Sequence, residues 1–192
     1  MNISNALQAS IAVKQQILQD AGFLQKIEEA ITIIVAALRR GNKILFCGNG
    51  GSAADAQHLA AEFSGRFYFD RAPLPAEALH CNTSYITAVG NDYGFDEVYA
   101  RILRGSGNAG DVLVGLSTSG NSENILRAFA AAREKGITTV AFTGESGGKM
   151  KDAADILLNV PSSDTPRIQE AHITIGHIVC EEMEKRMFPE GK

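Results

Sequence analysis

Five short apolar runs, separated by segments with helical periodicity, constrain the fold of this chain more than any other feature. The runs are KILFCG (43–48), AEALH (76–80), DVLVGLS (111–117), ITTVAFT (137–143) and DILLNV (155–160). They lack the polar alternation of a strand with one wet face, so both faces of each strand should be covered. The pattern therefore predicts an α/β chain with a parallel sheet and helices on each side.

Helical patterns precede, connect and follow these runs. Two amphipathic helices are predicted at 4–20 and 23–40, broken near Gly22 and ended by the basic residues and glycine of RRGNK. The connecting helices are predicted at 54–65, 84–90, 96–104, 122–135 and 148–153, and a final helix at 166–187. With no linker or low-complexity tract, we expect one doubly wound domain over 1–192, made of N-terminal helices (1–40) and an α/β core (41–192).

Composition excludes several classes of protein. Eighteen basic and twenty-two acidic residues give a net charge of −4, without the clustered cations that a nucleic-acid surface needs. Cys47, Cys81 and Cys180 have no CxxC spacing, which argues against a disulfide framework and a thiolate zinc site. We find neither a signal-peptide core nor an apolar stretch long enough to cross a membrane, and expect a protein of the cytoplasm.

The glycine-rich turn after the first strand resembles a nucleotide-binding loop only weakly. GNGGSA fits G-x-G-x-x-A through Gly48, Gly50 and Ala53. A dinucleotide fold also needs a carboxylate at the end of the second strand, which here reads LHCNT, and no Gly-Lys-Ser/Thr of a P-loop is present. We therefore expect no nucleotide.

A second loop, STSGNSEN, follows the third strand and is rich in hydroxyls. Ser117, Thr118, Ser119 and Ser122 lie within six residues at a helix start. Hydroxyls and free backbone N–H groups at a helix N-terminus suit a single phosphate. The alternative is that Ser119 or Ser122 merely caps helix 122–135. Because ligands of open α/β sheets bind at the carboxyl edge, we favour phosphate.

The helix after GNGGS carries His58, Glu62 and Arg66 at steps of four, on one stripe. A solvated stripe is the simple alternative. The same helix is apolar nearly all round, however, through Ala54, Ala56, Leu59, Ala60, Ala61 and Phe63. We therefore expect it to be largely buried, and buried His and Glu side chains need a partner, a metal or a substrate.

The last helix mixes polar side chains with isoleucines. At 100° per residue, Glu170 lies about 20° and Gln169 about 80° from His177, whereas His172 points about 140° away. His177 can thus join a polar cluster with Gln169 or Glu170, and spacing does not choose between them.

Three other motifs have simpler interpretations. GNDYG (90–94) indicates a turn, with Asp92 as a candidate contact for a substrate hydroxyl. His80 is expected to end a strand, and GESGGKM (144–150) is interpreted as a loop before a helix.

Five segments are informative in combination: CGNGGSAADAQHLAAEFSGR, GNDYGF, GDVLVGLSTSGNSENILRAFAAAREKG, TGESGGKM and RIQEAHITIGHIVCEEME. Together they resemble the bacterial phosphoheptose isomerases of the sugar isomerase (SIS) superfamily. The resemblance runs from about residue 40 to the end. It implies a three-layer α/β/α sandwich with a flavodoxin-like five-stranded parallel sheet, and a homotetramer with active sites between subunits. It also implies isomerisation of sedoheptulose 7-phosphate, the first step of ADP-heptose synthesis for lipopolysaccharide or other surface glycans.

Carried over position by position, the resemblance assigns the candidate site. The phosphate would lie on Ser117, Thr118, Ser119 and Ser122. The sugar chain would face Asn49, Gly50, Gly51, Ser52, Arg66, Asp92 and Gln169. One zinc per subunit would be held by His58, Glu62, Gln169 and His177, with Glu62 as the catalytic base and His177 as the acid. A carboxylate held tightly by zinc is a poorer base, and the sequence does not resolve that tension.

Two other readings within the superfamily stay open from the sequence. One is a non-catalytic homotetramer that binds the bacterial replication initiator, and its members lack the Glu and His that stand here at Glu62 and His177. The other is a different sugar-phosphate isomerase or sensor. The retained acid and base favour the phosphoheptose isomerase.

Overall fold

The computed structural model describes residues 3–191. The seven α-helices of this range are α1 (Ile3–Gln19), α2 (Ala21–Arg39), α3 (Gly51–Ser64), α4 (Thr83–Asp92), α5 (Val98–Ser106), α6 (Glu123–Lys135) and α7 (Thr165–Met187). The five strands are β1 (Ile44–Gly48), β2 (Ala76–Ala78), β3 (Val112–Leu116), β4 (Thr138–Thr143) and β5 (Ile156–Asn159). The prediction of one domain over 1–192 reaches beyond the described residues and stays a prediction.

All four strand pairings are parallel, and the order across the sheet is β2-β1-β3-β4-β5. Alternate residues of each strand point to opposite faces. In β1, Ile44 and Phe46 join the core formed with α1, α2, α3 and α7, whereas Leu45 and Cys47 join the core formed with α4, α5 and α6. The predicted three-layer α/β/α sandwich with a flavodoxin-like sheet is confirmed.

Some element predictions need correction. The helix predicted at 148–153 is a 3₁₀ turn, Gly148–Asp152. Strand β2 ends at Ala78, so His80 lies beyond the strand in a turn. Residues Gly90–Asp92 belong to the last turn of α4, and only Tyr93 and Gly94 of the predicted turn lie outside the helix. Among the helices of residues 3–191, none combines the length and the apolar character needed to cross a bilayer.

Candidate functional site

The two loops singled out in the sequence are neighbours at the carboxyl edge of the sheet. Strands β1 and β3 pair directly, with Gly48 opposite Leu116 at their carboxyl ends. The connection from β1 leads to β2 on one side and that from β3 to β4 on the other, so the strand order reverses here. Open α/β sheets bind their ligands at this switch point.

The first loop is tight, and two buried side chains hold it. A Cβ on Gly48 would collide with the Ser52 carbonyl, and Gly50 has a φ of +58°, so both positions favour glycine. The Asn49 and Asn124 side chains exchange two hydrogen bonds of 2.9 Å. The Tyr99 hydroxyl donates to the Gly48 carbonyl. Sequence reasoning missed Asn124 and Tyr99, although Asn124 lies within the hydroxyl-rich STSGNSEN.

The hydroxyls of the second loop face one another rather than capping α6. Ser117 Oγ lies 2.9 Å from Ser122 Oγ and 3.4 Å from Ser119 Oγ. Ser122 occupies the N-cap position, but its side chain makes no capping hydrogen bond. The Ser119 hydroxyl accepts from the Asn121 N–H, which precedes the helix. The first backbone N–H groups of α6 therefore have no side-chain cap, which suits an anion better than the capping alternative.

The loop at 144–150 supports the hydroxyl loop, a role that the sequence analysis missed. A Cβ on Gly120 would collide with the Gly147 carbonyl, and one on Gly148 with the Ser119 carbonyl. The Gly144 N–H donates to Thr118 O and the Met150 N–H to Gly120 O, both at 3.0 Å. A cleft of about 310 Å³ lies beside this contact, lined in part by Thr118, Ser119 and Gly144.

Helices α3 and α7 bring the predicted acid and base together around His58. The His58 Nε2 lies 3.1 Å from His177 Nε2 and 3.2 Å from Glu62 Oε1. Our expectation that α3 is largely buried was wrong, because the His58 side chain is 51% exposed and Glu62 23%. The helix buries only one side, which carries Ala56, Leu59, Ala60 and Phe63.

Gln169 and Glu170, the two alternatives on α7, have different surroundings in the structure. The Gln169 amide lies over Gly51, where an added Cβ would come within 2.7 Å of Gln169 Nε2. Glu170 instead pairs with Arg167 at 2.7 Å. His172 is fully buried, with its Nε2 3.1 Å from Thr143 O, and burial lowers the pKa of His172 to about 4. Its predicted separation from the cluster is confirmed.

Arg66 and Asp92 are not drawn into the cluster within one chain. Arg66 is exposed and its side chain makes no hydrogen bond or ion pair to residues 3–191. Asp92 is exposed at the end of α4 and accepts a hydrogen bond of 2.8 Å from Asn91.

Asp55 is a further acidic residue that the sequence analysis did not single out. Its Oδ2 is buried without a hydrogen-bond partner in the described chain. Burial raises the pKa of Asp55, and the charges of His58 and His177 oppose that rise. Asp55 therefore belongs to the electrostatic surroundings of the two imidazoles.

The donor set around His58 suits a zinc ion in type but is not assembled into a complete site. Two ligand atoms that each lie 2.0–2.1 Å from a tetrahedral zinc are about 3.3 Å apart. The distances from His58 Nε2 to His177 Nε2 (3.1 Å) and to Glu62 Oε1 (3.2 Å) are close to that value. Facing imidazole nitrogens also need a shared proton or cation between their lone pairs. As placed, however, no three His, Cys, Asp or Glu side chains of residues 3–191 form a group that could hold a metal ion.

Comparisons with known proteins identify the family. The SIS domain family matches residues 8–144. The phosphoheptose isomerases of Sulfurimonas denitrificans and Clostridium acetobutylicum are each 52% identical to this chain, covering 98% of it and 97% and 96% of their own lengths. A solved phosphoheptose isomerase from Neisseria gonorrhoeae superposes with a TM-score of 0.90 at 44% identity, covering 95% of this chain and 97% of that structure.

The matches to phosphoheptose isomerases extend over nearly the whole length of both proteins. We therefore do not retain the hypothesis of a non-catalytic binding protein. This chain is an isomerase that belongs to the phosphoheptose isomerase family of SIS-domain proteins.

Proposed function

We propose that this protein converts sedoheptulose 7-phosphate into D-glycero-D-manno-heptose 7-phosphate. The observation that carries the proposal is the meeting of Glu62 and His177 at His58 Nε2, 3.2 and 3.1 Å away, beside the carboxyl edge of the sheet. An aldose–ketose isomerase needs a base and an acid within reach of adjacent carbons. The names of the relatives support a phosphorylated heptose as the substrate.

The hydroxyl loop is proposed to bind the phosphate. Ser117, Thr118, Ser119 and Ser122 offer hydroxyls beside the uncapped N-terminus of α6. A phosphate there would accept hydrogen bonds from backbone N–H groups and be favoured by the helix dipole. The sugar chain would run past Asn49, Gly50, Gly51 and Ser52 towards α7, where Gln169 covers Gly51.

The chemistry follows from the positions of the protons. Glu62 takes a proton from C1 of the ketose, the C1–H electrons form the C1=C2 bond, and O2 receives a proton from His177. In the second half, the now neutral His177 takes the O1 proton, the O1–H electrons form the C1=O bond, and the C1=C2 electrons take the proton that Glu62 returns to C2, which restores both groups. One base above C1 and C2 and one acid near O1 and O2 suffice for this exchange.

Zinc is proposed as a cofactor, held by His58, Glu62, Gln169 and His177, which include the imidazole and carboxylate donors that zinc prefers. When bound, it would polarise the substrate carbonyl. Chelation should then lower turnover and added zinc should restore it. Full activity after chelation, with zinc absent by elemental analysis, would contradict this assignment.

A homotetramer with active sites between subunits is also proposed. Helix α1 exposes a stripe of large apolar side chains: Ile3, Leu7, Ile11 and Leu18. His58, Arg66 and Asp92 are exposed in the single chain, and a neighbouring subunit would cover them. Apolar patches of this kind mark interaction surfaces.

The cellular role is proposed as the first step of ADP-heptose synthesis for lipopolysaccharide or other surface glycans, in the cytoplasm. The biochemical test is incubation with sedoheptulose 7-phosphate and zinc, with the aldose product followed by chromatography. Turnover to the heptose 7-phosphate is expected. No product, or a clear preference for a shorter sugar phosphate, would refute the substrate assignment.

A further inference from the structure

The segment after α3 passes the candidate site without regular secondary structure. Residues 66–75 connect α3 to β2, and they include Arg66 and Phe67. The Phe67 ring lies 5.7 Å from the His177 ring. An irregular segment can hold such a position only if its backbone groups find partners.

Glu184 supplies one set of partners from α7. It follows His177 by seven residues, two turns of helix, and so lies on nearly the same face. Its carboxylate is 1% exposed and accepts hydrogen bonds from Phe67 N (2.9 Å), Tyr68 N (2.7 Å) and Arg71 Nε (2.7 Å). Burial alone would raise the pKa of Glu184, but the bonds from Tyr68, Phe67 and Arg71 outweigh it and hold the pKa below its ordinary value.

Arg71 ties the same point to the end of α3. Its side chain is 1% exposed. One Nη donates to the carbonyl oxygen of Glu62 at 2.8 Å, and the other to Phe63 O at 3.0 Å and Gly65 O at 3.3 Å. Glu62 and Phe63 lie in the last turn of α3, whose carbonyls have no intrahelical partners, so the guanidinium acts as a C-terminal cap.

The buried pair therefore joins the two helices that carry the acid and the base. We propose that Arg71 and Glu184 are positioning residues, which fix the α3 turn of Glu62 and the Phe67 ring against the α7 face of His177. They touch no reacting atom in this account. The inference rests on the proposed function. It goes beyond that function because it assigns the distance between Glu62 and His177 to the Arg71–Glu184 ion pair.

The test replaces the pair without leaving a buried charge unpaired. In Arg71→Met with Glu184→Met, both charges and the hydrogen bonds that these two side chains make are lost, while the side-chain volume is roughly kept. We expect a folded protein whose kcat falls about 10²-fold, because small misplacements of catalytic groups cost that much, while KM changes far less. Amide exchange at Phe67 and Tyr68 should also become faster.

The matched control is another largely buried pair, Lys43 and Asp111, joined at 2.8 Å at the opposite edge of the sheet. Lys43→Met with Asp111→Met should lower stability and leave kcat almost unchanged. A kcat near that of the unmodified protein in the Arg71/Glu184 variant, or equal losses of kcat in both variants, would overturn the proposal.

A second variant decides the matter if the double replacement fails to fold. Arg71→Lys keeps the charge opposite Glu184, but one ammonium cannot reproduce the fork of contacts to the α3 carbonyls. We expect a folded protein with lowered kcat, and full kcat would overturn the proposal. If the unmodified protein itself does not act on sedoheptulose 7-phosphate, the proposed function fails. Unchanged amide exchange at Phe67 and Tyr68 in the double variant, which lacks the Glu184 carboxylate, separately refutes the positioning role.

Discussion

At the scale of single residues, His58 is the point where the candidate site converges. Its Nε2 cannot donate one proton fully to both His177 and Glu62, which lie 3.1 and 3.2 Å away. One of these two contacts is therefore left for a cation or a substrate hydroxyl. This explains why a histidine and a carboxylate one turn apart follow a glycine-rich loop that does not fit a nucleotide.

The phosphate assignment predicts the effect of removing one hydroxyl. Ser122→Ala should weaken binding of the sugar phosphate about three- to tenfold, because one hydrogen bond to the phosphate is lost. The fold should persist, since Ser122 makes no capping bond to α6. Isothermal titration calorimetry measures the affinity. Ser106→Ala, on the exposed end of α5, is the control, and equal affinities in both variants would contradict the assignment.

The sequence was informative for residues whose spacing places them on one helix face. His58 and Glu62 could be paired in advance because they are four apart, and His172 could be set aside by its angle. The contact between α3 and α7 required the folded chain, since spacing left both Gln169 and Glu170 open. Asn124 and Tyr99 were not predicted as site residues, because a polar residue that hydrogen-bonds to a loop distant in sequence produces no periodic pattern.

At the scale of secondary-structure elements, the site depends on the backbone contact between the hydroxyl loop after β3 and the loop at 144–150 after β4. Gly120 has a φ of +65°, and a Cβ there would collide with the Gly147 carbonyl. Neither loop can move away without disturbing the carboxyl ends of β3 and β4, which they follow.

Gly120→Ala should therefore destabilise the protein by about 2–3 kcal/mol, from the strained φ and the backbone collision. Denaturant unfolding followed by circular dichroism provides the measurement. The control is Gly105→Ala within α5, where an added Cβ meets nothing within 4 Å, and there we expect unchanged or slightly higher stability. Equal stabilities of the two variants would refute the tight loop contact.

Strand and helix types were largely predictable, because apolar runs and helical periods are local signals. The exposure of α3 was not. Its alanines suggested burial all round, but alanine is equally compatible with solvent and with a subunit interface. The 3₁₀ turn at Gly148–Asp152 was predicted as a helix because the six-residue pattern at 148–153 contains too little period to distinguish the two.

At the scale of the whole molecule, the exposed stripe on α1 predicts an oligomer. Leu7 and Ile11 are 61% and 63% exposed. Leu7→Glu with Ile11→Glu should dissociate the proposed tetramer, because charges would be buried at its interface. Light scattering measures the mass. Ala9→Glu with Gln16→Glu, on the opposite side of α1 by helical geometry, should stay tetrameric, and an unmodified protein that is monomeric would refute the interface.

Buried His172 predicts how the stability of the fold depends on pH. Its pKa is about 4 in the folded protein and about 6.5 when unfolded. Between these values the unfolded chain binds more protons, so stability is complete above pH 6.5 and falls by about 3 kcal/mol as the pH drops towards 4. His172→Gln should show a flatter dependence in urea unfolding across this window, and an identical slope would contradict a buried neutral imidazole.

The central claim is that Glu62 and His177 carry out the proton transfer of a sugar-phosphate isomerase. Its most direct measurement is kcat on sedoheptulose 7-phosphate for Glu62→Gln and His177→Gln beside the unmodified protein, with circular dichroism as the check on folding. We predict that each folded variant loses about 10²–10⁴-fold in kcat, the usual contribution of a general acid or base. A folded variant of either residue with kcat within a few fold of the unmodified protein would contradict the account.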